Sequence, residues 1–96
     1  MKVRLRSVAE ADAAEAIRWY AEQKSDLASR FLGALSTTLR NIELNPKLYP
    51  VVEGEMRRAL FPRPFPYMVV YRIESDMVSV YAVLHQVRDP ARWKRR

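Results

Sequence analysis

Three segments in the second half of the chain have the hydrophobic pattern of β-strands. They are residues 57–61, 67–73 and 77–84. Only residues 74–76 join the last two, and so short a link permits only an antiparallel hairpin. The last segment is apolar at most of its positions, which predicts a central strand that is covered on both faces.

Strict alternation assigns the side chains of these strands to two faces. In the hairpin, Tyr67, Val69, Tyr71 and Ile73 would share one face. In the last strand, one face would carry Val78, Val80, Ala82 and Leu84, and the other would carry Met77, Ser79, Tyr81 and Val83. Both faces of the predicted sheet are therefore expected to need cover from other parts of the chain.

The first six residues predict another strand, which is half-buried and has only cations on its polar side. Lys2, Arg4 and Arg6 alternate there with Val3 and Leu5. This strand would precede the helical part of the chain.

A first helix is predicted from Ser7 to about Gln23. Ser7 and Glu10 fit a capping box, in which each side chain accepts a backbone N–H of the first turn. Asp12 and Glu15 lie near the start of this helix, where its macrodipole favours negative charge.

A second helix follows almost at once. Ser25 or Asp26 can cap it, apolar residues recur every three or four positions, and Asn45 with Pro46 ends it. The short connection predicts an antiparallel helical hairpin lying across one face of the sheet. Residues 45–55 are interpreted as a loop.

The chain ends in a short basic tail. Asp89 could cap a helix with Pro90 at its first position, and Trp93 is the expected anchor to the core. Arg92 and Lys94 are expected to be exposed charges that contribute little to stability.

Composition and length place the chain among soluble single-domain proteins. Its 96 residues are 49% hydrophobic and 29% charged, and no apolar run approaches a membrane span. No secretion signal is recognisable, so a cytoplasmic protein without membrane contact is expected. Zero cysteines and one histidine argue against thiolate chemistry and a dedicated metal site, and no cofactor is expected.

The net charge of +6 is confined to one part of the chain. Residues 1–55 contain eight basic and eight acidic side chains, whereas residues 56–96 contain nine and three. A localised basic field steers anionic partners such as nucleic acid or an acidic protein. The alternative is that the charge only keeps a small protein soluble.

The candidate chemistry lies around His85 and Arg88. Other cations could lie on the same side of the sheet, namely Arg57, Arg58, Arg72, Arg92 and Lys94. Such a set could hold a phosphodiester while His85 moves a proton. The alternative for His85 is a polar residue at the end of a strand that bonds a backbone carbonyl.

Four sequence patterns in this order resemble the RelE/ParE superfamily of bacterial toxins from type II toxin–antitoxin systems. They are Asn45-Pro46-x-x-Tyr49-Pro50-x-Val52, Arg57-Arg58-Ala59-Leu60, Phe65-Pro66-Tyr67-x-Val69-x-Tyr71-Arg72-Ile73 and His85-x-x-Arg88-Asp89-Pro90-x-x-Trp93. The resemblance spans residues 1–96 as a single domain. It implies an α+β fold with an N-terminal strand, a helical hairpin, a three-stranded antiparallel sheet and a short C-terminal helix.

The resemblance also implies an activity, and the superfamily has two. RelE-like members cut messenger RNA in the ribosome, and Arg57, His85 and Arg88 would be their catalytic residues here. However, Ala59 and Met68 stand where that branch carries basic residues. These departures favour the ParE-like branch, whose members poison DNA gyrase without a known catalytic step. A non-toxic module that only binds antitoxin is a third possibility.

The implied partners are a cognate ParD-like antitoxin and the toxin's target. Candidate target contacts are Arg57, Arg58, His85, Arg88, Arg92, Trp93 and Lys94. Candidate antitoxin contacts are Trp19, Tyr20, Phe31 and Leu32, because they give the helices more apolar surface than one sheet face needs. A toxin–antitoxin hetero-oligomer that controls growth inhibition and plasmid stabilisation is expected.

Overall fold

A computed structural model describes residues 1–96 as five strands, two α-helices and a short 3₁₀ helix. In chain order these are β1 (Lys2–Leu5), α1 (Ser7–Gln23), α2 (Ser25–Leu44), β2 (Val51–Glu53), β3 (Met56–Leu60), β4 (Tyr67–Glu74), β5 (Met77–His85) and the 3₁₀ helix (Arg92–Arg95). The α+β class, the helical hairpin and the β4–β5 hairpin are as the sequence predicts. Neither helix is long and apolar enough to cross a membrane.

The strands form one five-stranded sheet in the order β1-β5-β4-β3-β2. β1 runs parallel to β5, and the other neighbours are antiparallel. β5 therefore lies inside the sheet, as its apolar sequence predicts. The helices cover one face, where Phe31 and Ile42 of α2 and Ala9 of α1 are fully buried together with Tyr71 and Val80 of the sheet.

A β-bulge in β5 changes which residues share a face. Val70 pairs with Ala82 but Tyr71 pairs with Val80, so Tyr81 is an extra residue in β5. The prediction of strict alternation is wrong beyond this point. Val83 turns toward the helices, whereas Ala82 lies on the opposite face.

The opposite face, which we call the helix-free face, has its own small core. It contains Met68, Val70, Ala82 and Leu84, and the tail residue Trp93 packs against them. The expectation that Trp93 anchors the tail is thus confirmed. The tail itself forms a 3₁₀ helix that begins at Arg92, and not a helix capped by Asp89.

The predicted helix caps are wrong. Ser7 is the first residue of α1 and Arg6 occupies the cap position, so the Ser7 hydroxyl makes no capping bond. Lys24 likewise precedes α2, and neither Ser25 nor Asp26 caps it. Both helices pack an apolar face on the sheet, and such tertiary packing supplies most of the stability of helices in proteins.

The segment predicted as a loop contains the edge strand β2. It pairs with β3 through a tight turn at Gly54, whose φ of +56° favours glycine. All three residues of β2 are exposed, so its sequence shows no alternation that could reveal a strand.

Candidate functional site

A polar cleft lies between α1 and the end of β5, and we call it the α1–β5 cleft. Its volume is about 90 Å³. Its polar and aromatic lining consists of Asp12, Glu15, Trp19, Tyr67, His85, Arg88, Asp89 and Arg92. The cleft therefore brings together three of the predicted target contacts, His85, Arg88 and Arg92.

Asp12 lies at the base of this cleft and is only 5% exposed. Its carboxylate accepts the backbone N–H of Val83 at 3.0 Å, Arg92 Nη2 at 2.8 Å and Arg96 Nη1 at 2.6 Å. Burial by itself would raise the pKa of Asp12, but the hydrogen bonds from Arg96, Val83 and Arg92 outweigh it and lower the pKa. Asp12 thereby fixes the basic tail against α1.

The pairing of Asp12 with the tail arginines was not predicted from the sequence. Its position near a helix start is a sufficient local explanation for an aspartate, whereas both arginines lie about 80 residues later in the chain. The spacing of Asp12 from Ala9, Ala13 and Ala16 is the one available signal, because these alanines line the buried side of α1. An acidic residue on a buried helix face needs a partner.

His85 is held as a neutral acceptor. Its Nδ1 accepts the backbone N–H groups of Val87 and Arg88, both at 3.1 Å. Burial first, and then the charge of Arg88, lowers its pKa. The proton of the neutral ring must therefore be on Nε2, and the predicted bond to a carbonyl is replaced by two bonds from amides.

Arg88 is the exposed cation of the cleft. Its Nη2 donates to the Tyr67 hydroxyl at 3.3 Å, and no carboxylate lies within ion-pair distance of it. The Tyr67 ring also meets the His85 ring edge-on, with 5.4 Å between centroids. Tyr67 thus orders both His85 and Arg88.

Arg57 lies far from this cleft. It pairs with Tyr71 on β4, whereas His85 pairs with Tyr67. Tyr67 and Tyr71 are four positions apart on β4, which corresponds to about 13 Å along the sheet. Arg57 Nη1 donates to the carbonyls of Tyr49 at 2.6 Å and Lys47 at 3.2 Å. The predicted catalytic set of Arg57, His85 and Arg88 is therefore not assembled.

A second hollow lies on the helix-free face beside the tail, and we call it the tail shelf. It has a volume of about 180 Å³ and is lined by Val52, Arg58, Met68, Val70, Pro90, Ala91, Trp93 and Lys94. Lys94 Nζ lies 3.3 Å from a carboxylate oxygen of Glu53, and Arg58 is exposed without an ion-pair partner. Apart from Arg57, the predicted target contacts are thus divided between the α1–β5 cleft and the tail shelf.

The four predicted antitoxin contacts have unequal exposure. Phe31 is fully buried and stacks on Tyr20 with 5.2 Å between centroids, so Phe31 cannot contact a partner in this fold. Tyr20 is half-buried because Phe65 also covers it. Trp19 and Leu32 remain exposed, at 46% and 50%.

The sequence matches the family described as the ParE toxin of type II toxin–antitoxin systems, parDE, over residues 3–90. The chain belongs to the ParE toxin family. Among solved structures it is similar to a chain of the chromosomal ParDE toxin–antitoxin system from P. aeruginosa. The TM-score is 0.67 at 13% identity, with 88% of this chain and 95% of that chain covered. No curated protein matches the sequence significantly.

Membership of the ParE family agrees with the resemblance inferred from the four sequence patterns. The family match ends at Pro90, so the contacts of Arg92, Trp93 and Arg96 rest on the geometry of this chain alone. The TM-score to the solved ParDE structure supports a shared fold, whereas the 13% identity carries no residue assignments.

Proposed function

We propose that this ParE-family toxin acts in the bacterial cytoplasm by inhibiting DNA gyrase. The observation that carries this proposal is the basic surface around the tail, by which we mean Arg88 in the α1–β5 cleft and Arg58 beside the tail shelf. Arg58 and Arg88 are exposed and have no carboxylate partner, so their charge is available to a target. Such charges steer association and contribute to recognition of an anionic or acidic surface.

The arrangement does not favour the alternative of ribosome-dependent cleavage of messenger RNA. A ribonuclease of that kind would need Arg57 close to His85 and Arg88, but Arg57 is engaged by the loop carbonyls of Lys47 and Tyr49. The Nδ1 atom of His85 accepts hydrogen bonds from two backbone amides. This nitrogen is therefore not available to accept a proton from a substrate.

The test is inhibition of supercoiling by purified gyrase, with two double variants. Arg58→Ala with Arg88→Ala should weaken inhibition at least about tenfold, as loss of two interface arginines typically does. Arg18→Ala with Arg30→Ala removes the same charge from exposed helix positions and should leave inhibition unchanged. Equal effects of the two double variants would show that the basic surface around the tail is not the contact.

Primer extension on cellular transcripts distinguishes the two alternative functions, a messenger RNA ribonuclease and a non-toxic antitoxin-binding module. If gyrase stays active at micromolar toxin and transcripts are cut during translation, gyrase inhibition is rejected and the ribonuclease function is supported. Intact gyrase and intact transcripts, with antitoxin binding retained, would identify a non-toxic antitoxin-binding module.

We further propose that a cognate ParD-like antitoxin neutralises the toxin by binding over Trp19 and Leu32 in a hetero-oligomer. Trp19 also lines the α1–β5 cleft, so an antitoxin segment over Trp19 would cover Arg88. Its binding should raise the melting temperature of the toxin. Trp19→Ala should weaken binding at least about tenfold. Val8→Ala, which truncates another exposed apolar residue of α1, is the control.

A further inference from the structure

The tail shelf on the helix-free face is an apolar hollow with a buried floor. Met68 and Val70 of β4 line it and are almost completely buried. Trp93 of the tail also lines it and packs against the small core to which both residues belong. A volume of about 180 Å³ remains open above this floor. The shelf can therefore receive a side chain from outside the protein.

The two sides of the tail shelf are joined to each other. Val52 lies on the β2 side, and Ala91 lies on the tail side. Lys94 Nζ of the tail lies 3.3 Å from a carboxylate oxygen of Glu53 in β2. Together with the packing of Trp93, this ion pair keeps the tail beside β2. The hollow is thus formed before any ligand binds, which favours affinity because little ordering is needed.

Arg58 is the free cation of the tail shelf. It pairs with Val70 across β3 and β4, so its side chain lies on the same face of the sheet as the floor. It is exposed, and no carboxylate lies within ion-pair distance of its guanidinium. An apolar hollow with a single placed charge is typical of a binding site that recognises an apolar group and an opposite charge together.

We propose that the tail shelf binds an apolar side chain of the target protein, about the size of leucine, whose neighbouring residue is acidic and pairs with Arg58. This inference rests on the proposed function, since it names the part of the target that the basic surface around the tail contacts. The apolar side chain would displace water from Val52, Val70 and Trp93. The carboxylate could accept two N–H groups of the Arg58 guanidinium.

Charge and shape favour this occupant over a nucleic acid and over a second copy of the chain. A nucleic acid strand carries a charge at every phosphate and stacks its bases on aromatic faces. The tail shelf offers one unpaired cation and a mainly aliphatic lining, and Glu53 already neutralises Lys94. A second copy would approach with the same net charge of +6, which opposes association.

The direct probe is a blocked dipeptide of leucine and aspartate, titrated into isotope-labelled toxin without gyrase. We expect saturable shifts of the Val52 and Ala91 amides and of the Trp93 indole N–H, with a Kd on the order of 1 mM. Asparagine in place of aspartate should weaken binding about three- to fivefold, because Arg58 is exposed. Glycine in place of leucine should weaken it at least about tenfold.

Three results of this titration would overturn the proposal. The first is the absence of these shifts at about 10 mM dipeptide. The second is a response to a single-stranded oligothymidylate alone, which would assign the tail shelf to nucleic acid. The third is a change of the same signals when the toxin alone is diluted, which would assign it to a second copy of the chain.

Two neighbouring residues of β2 provide matched variants. Val52→Asp places a carboxylate in the same hollow as Arg58 and should weaken both dipeptide binding and gyrase inhibition at least about tenfold. Val51→Asp adds the same charge at a residue that lines a separate hollow with Arg57, and it should change neither. Both side chains are exposed, at 40% and 49%, so both variants should fold. Equal weakening by the two variants would overturn the proposal in favour of a net-charge effect.

The two assays distinguish failure of this inference from failure of the proposed function. If the dipeptide binds in the tail shelf but the parent toxin leaves gyrase active, gyrase is rejected and the shelf stands as the contact for another protein target. If the parent toxin inhibits gyrase and Val52→Asp inhibits it equally well, gyrase inhibition stands and the inference about the tail shelf is overturned.

Discussion

Asp12 of α1 and Val83 of β5 are joined by a hydrogen bond of 3.0 Å from the Val83 N–H to the Asp12 carboxylate. β1 covers β5 only as far as Val80, so this side of β5 has no strand partner beyond it. Asp12 supplies the missing acceptor, and Arg96 Nη1 donates to the Tyr81 carbonyl at 3.1 Å. Two side chains therefore continue the hydrogen bonding of the sheet where β1 ends.

Asp12→Asn should lower the free energy of unfolding by about 2 to 3 kcal/mol, because bonds between charged partners are lost at a buried position. Urea denaturation measures the difference. Glu15→Gln, which changes an exposed carboxylate of the same helix, should stay within about 0.5 kcal/mol of the parent protein. Comparable losses in the two variants would mean that Asp12 acts only through general electrostatics.

The contribution of Asp12 should also depend on pH. Its pKa in the folded protein is lower than the ordinary value of 3.8, so the folded state favours the ionised carboxylate. The stabilisation is then fully present above that value and is lost as the pH falls through the lower folded pKa. Denaturation curves should show the parent protein and Asp12→Asn converging in stability below about pH 4. A constant difference down to pH 2 would contradict this account.

Arg92 and Lys94 should differ in their effects on stability. The sequence predicts that both are dispensable, but Arg92 Nη2 lies 2.8 Å from Asp12 Oδ1. Arg92→Ala should therefore cost about 1 to 2 kcal/mol. Lys94→Ala should cost less than about 0.5 kcal/mol, because its ion pair with Glu53 is exposed. Urea midpoints of the two single variants decide between the prediction from sequence and the one from structure.

Periodicity located most of the fold because it reports which side chains are buried within one element. It failed at β5, where the extra residue Tyr81 exchanges the faces of all later positions. It also failed at β2, whose three residues are all exposed and therefore leave no pattern. The bulge depends on pairing with β4, and a single strand's sequence does not encode that register.

The candidate site was harder to predict because its residues meet only after folding. His85 and Arg88 are close in sequence and were correctly placed together. Arg57 was grouped with His85 and Arg88 on charge alone. The β3–β4 register pairs Arg57 with Tyr71, so its guanidinium contacts the loop before β2. Asp12 was missed because its partners are distant in the chain and no local rule connects them.

His85 should titrate below its ordinary pKa of 6.5, since burial and Arg88 both disfavour the charged ring. Nitrogen-15 NMR should show a neutral ring with its proton on Nε2 at pH 7. Protonation would break the bonds from Val87 and Arg88, so His85 stabilises the fold at neutral pH and this contribution is lost as the pH falls below 6.5. A pKa raised above 6.5 would instead indicate a neighbouring carboxylate as the dominant influence.

Arg57→Ala should destabilise the protein without weakening gyrase inhibition. The guanidinium holds the carbonyls of Lys47 and Tyr49, and losing these bonds should cost about 1 to 3 kcal/mol. Arg63→Ala, at an exposed loop arginine, should cost almost nothing. Inhibition is measured at a temperature where both variants remain folded. If Arg57→Ala abolishes inhibition there while its urea midpoint is unchanged, then Arg57 contacts the target, and its bonds to the loop are not its main role.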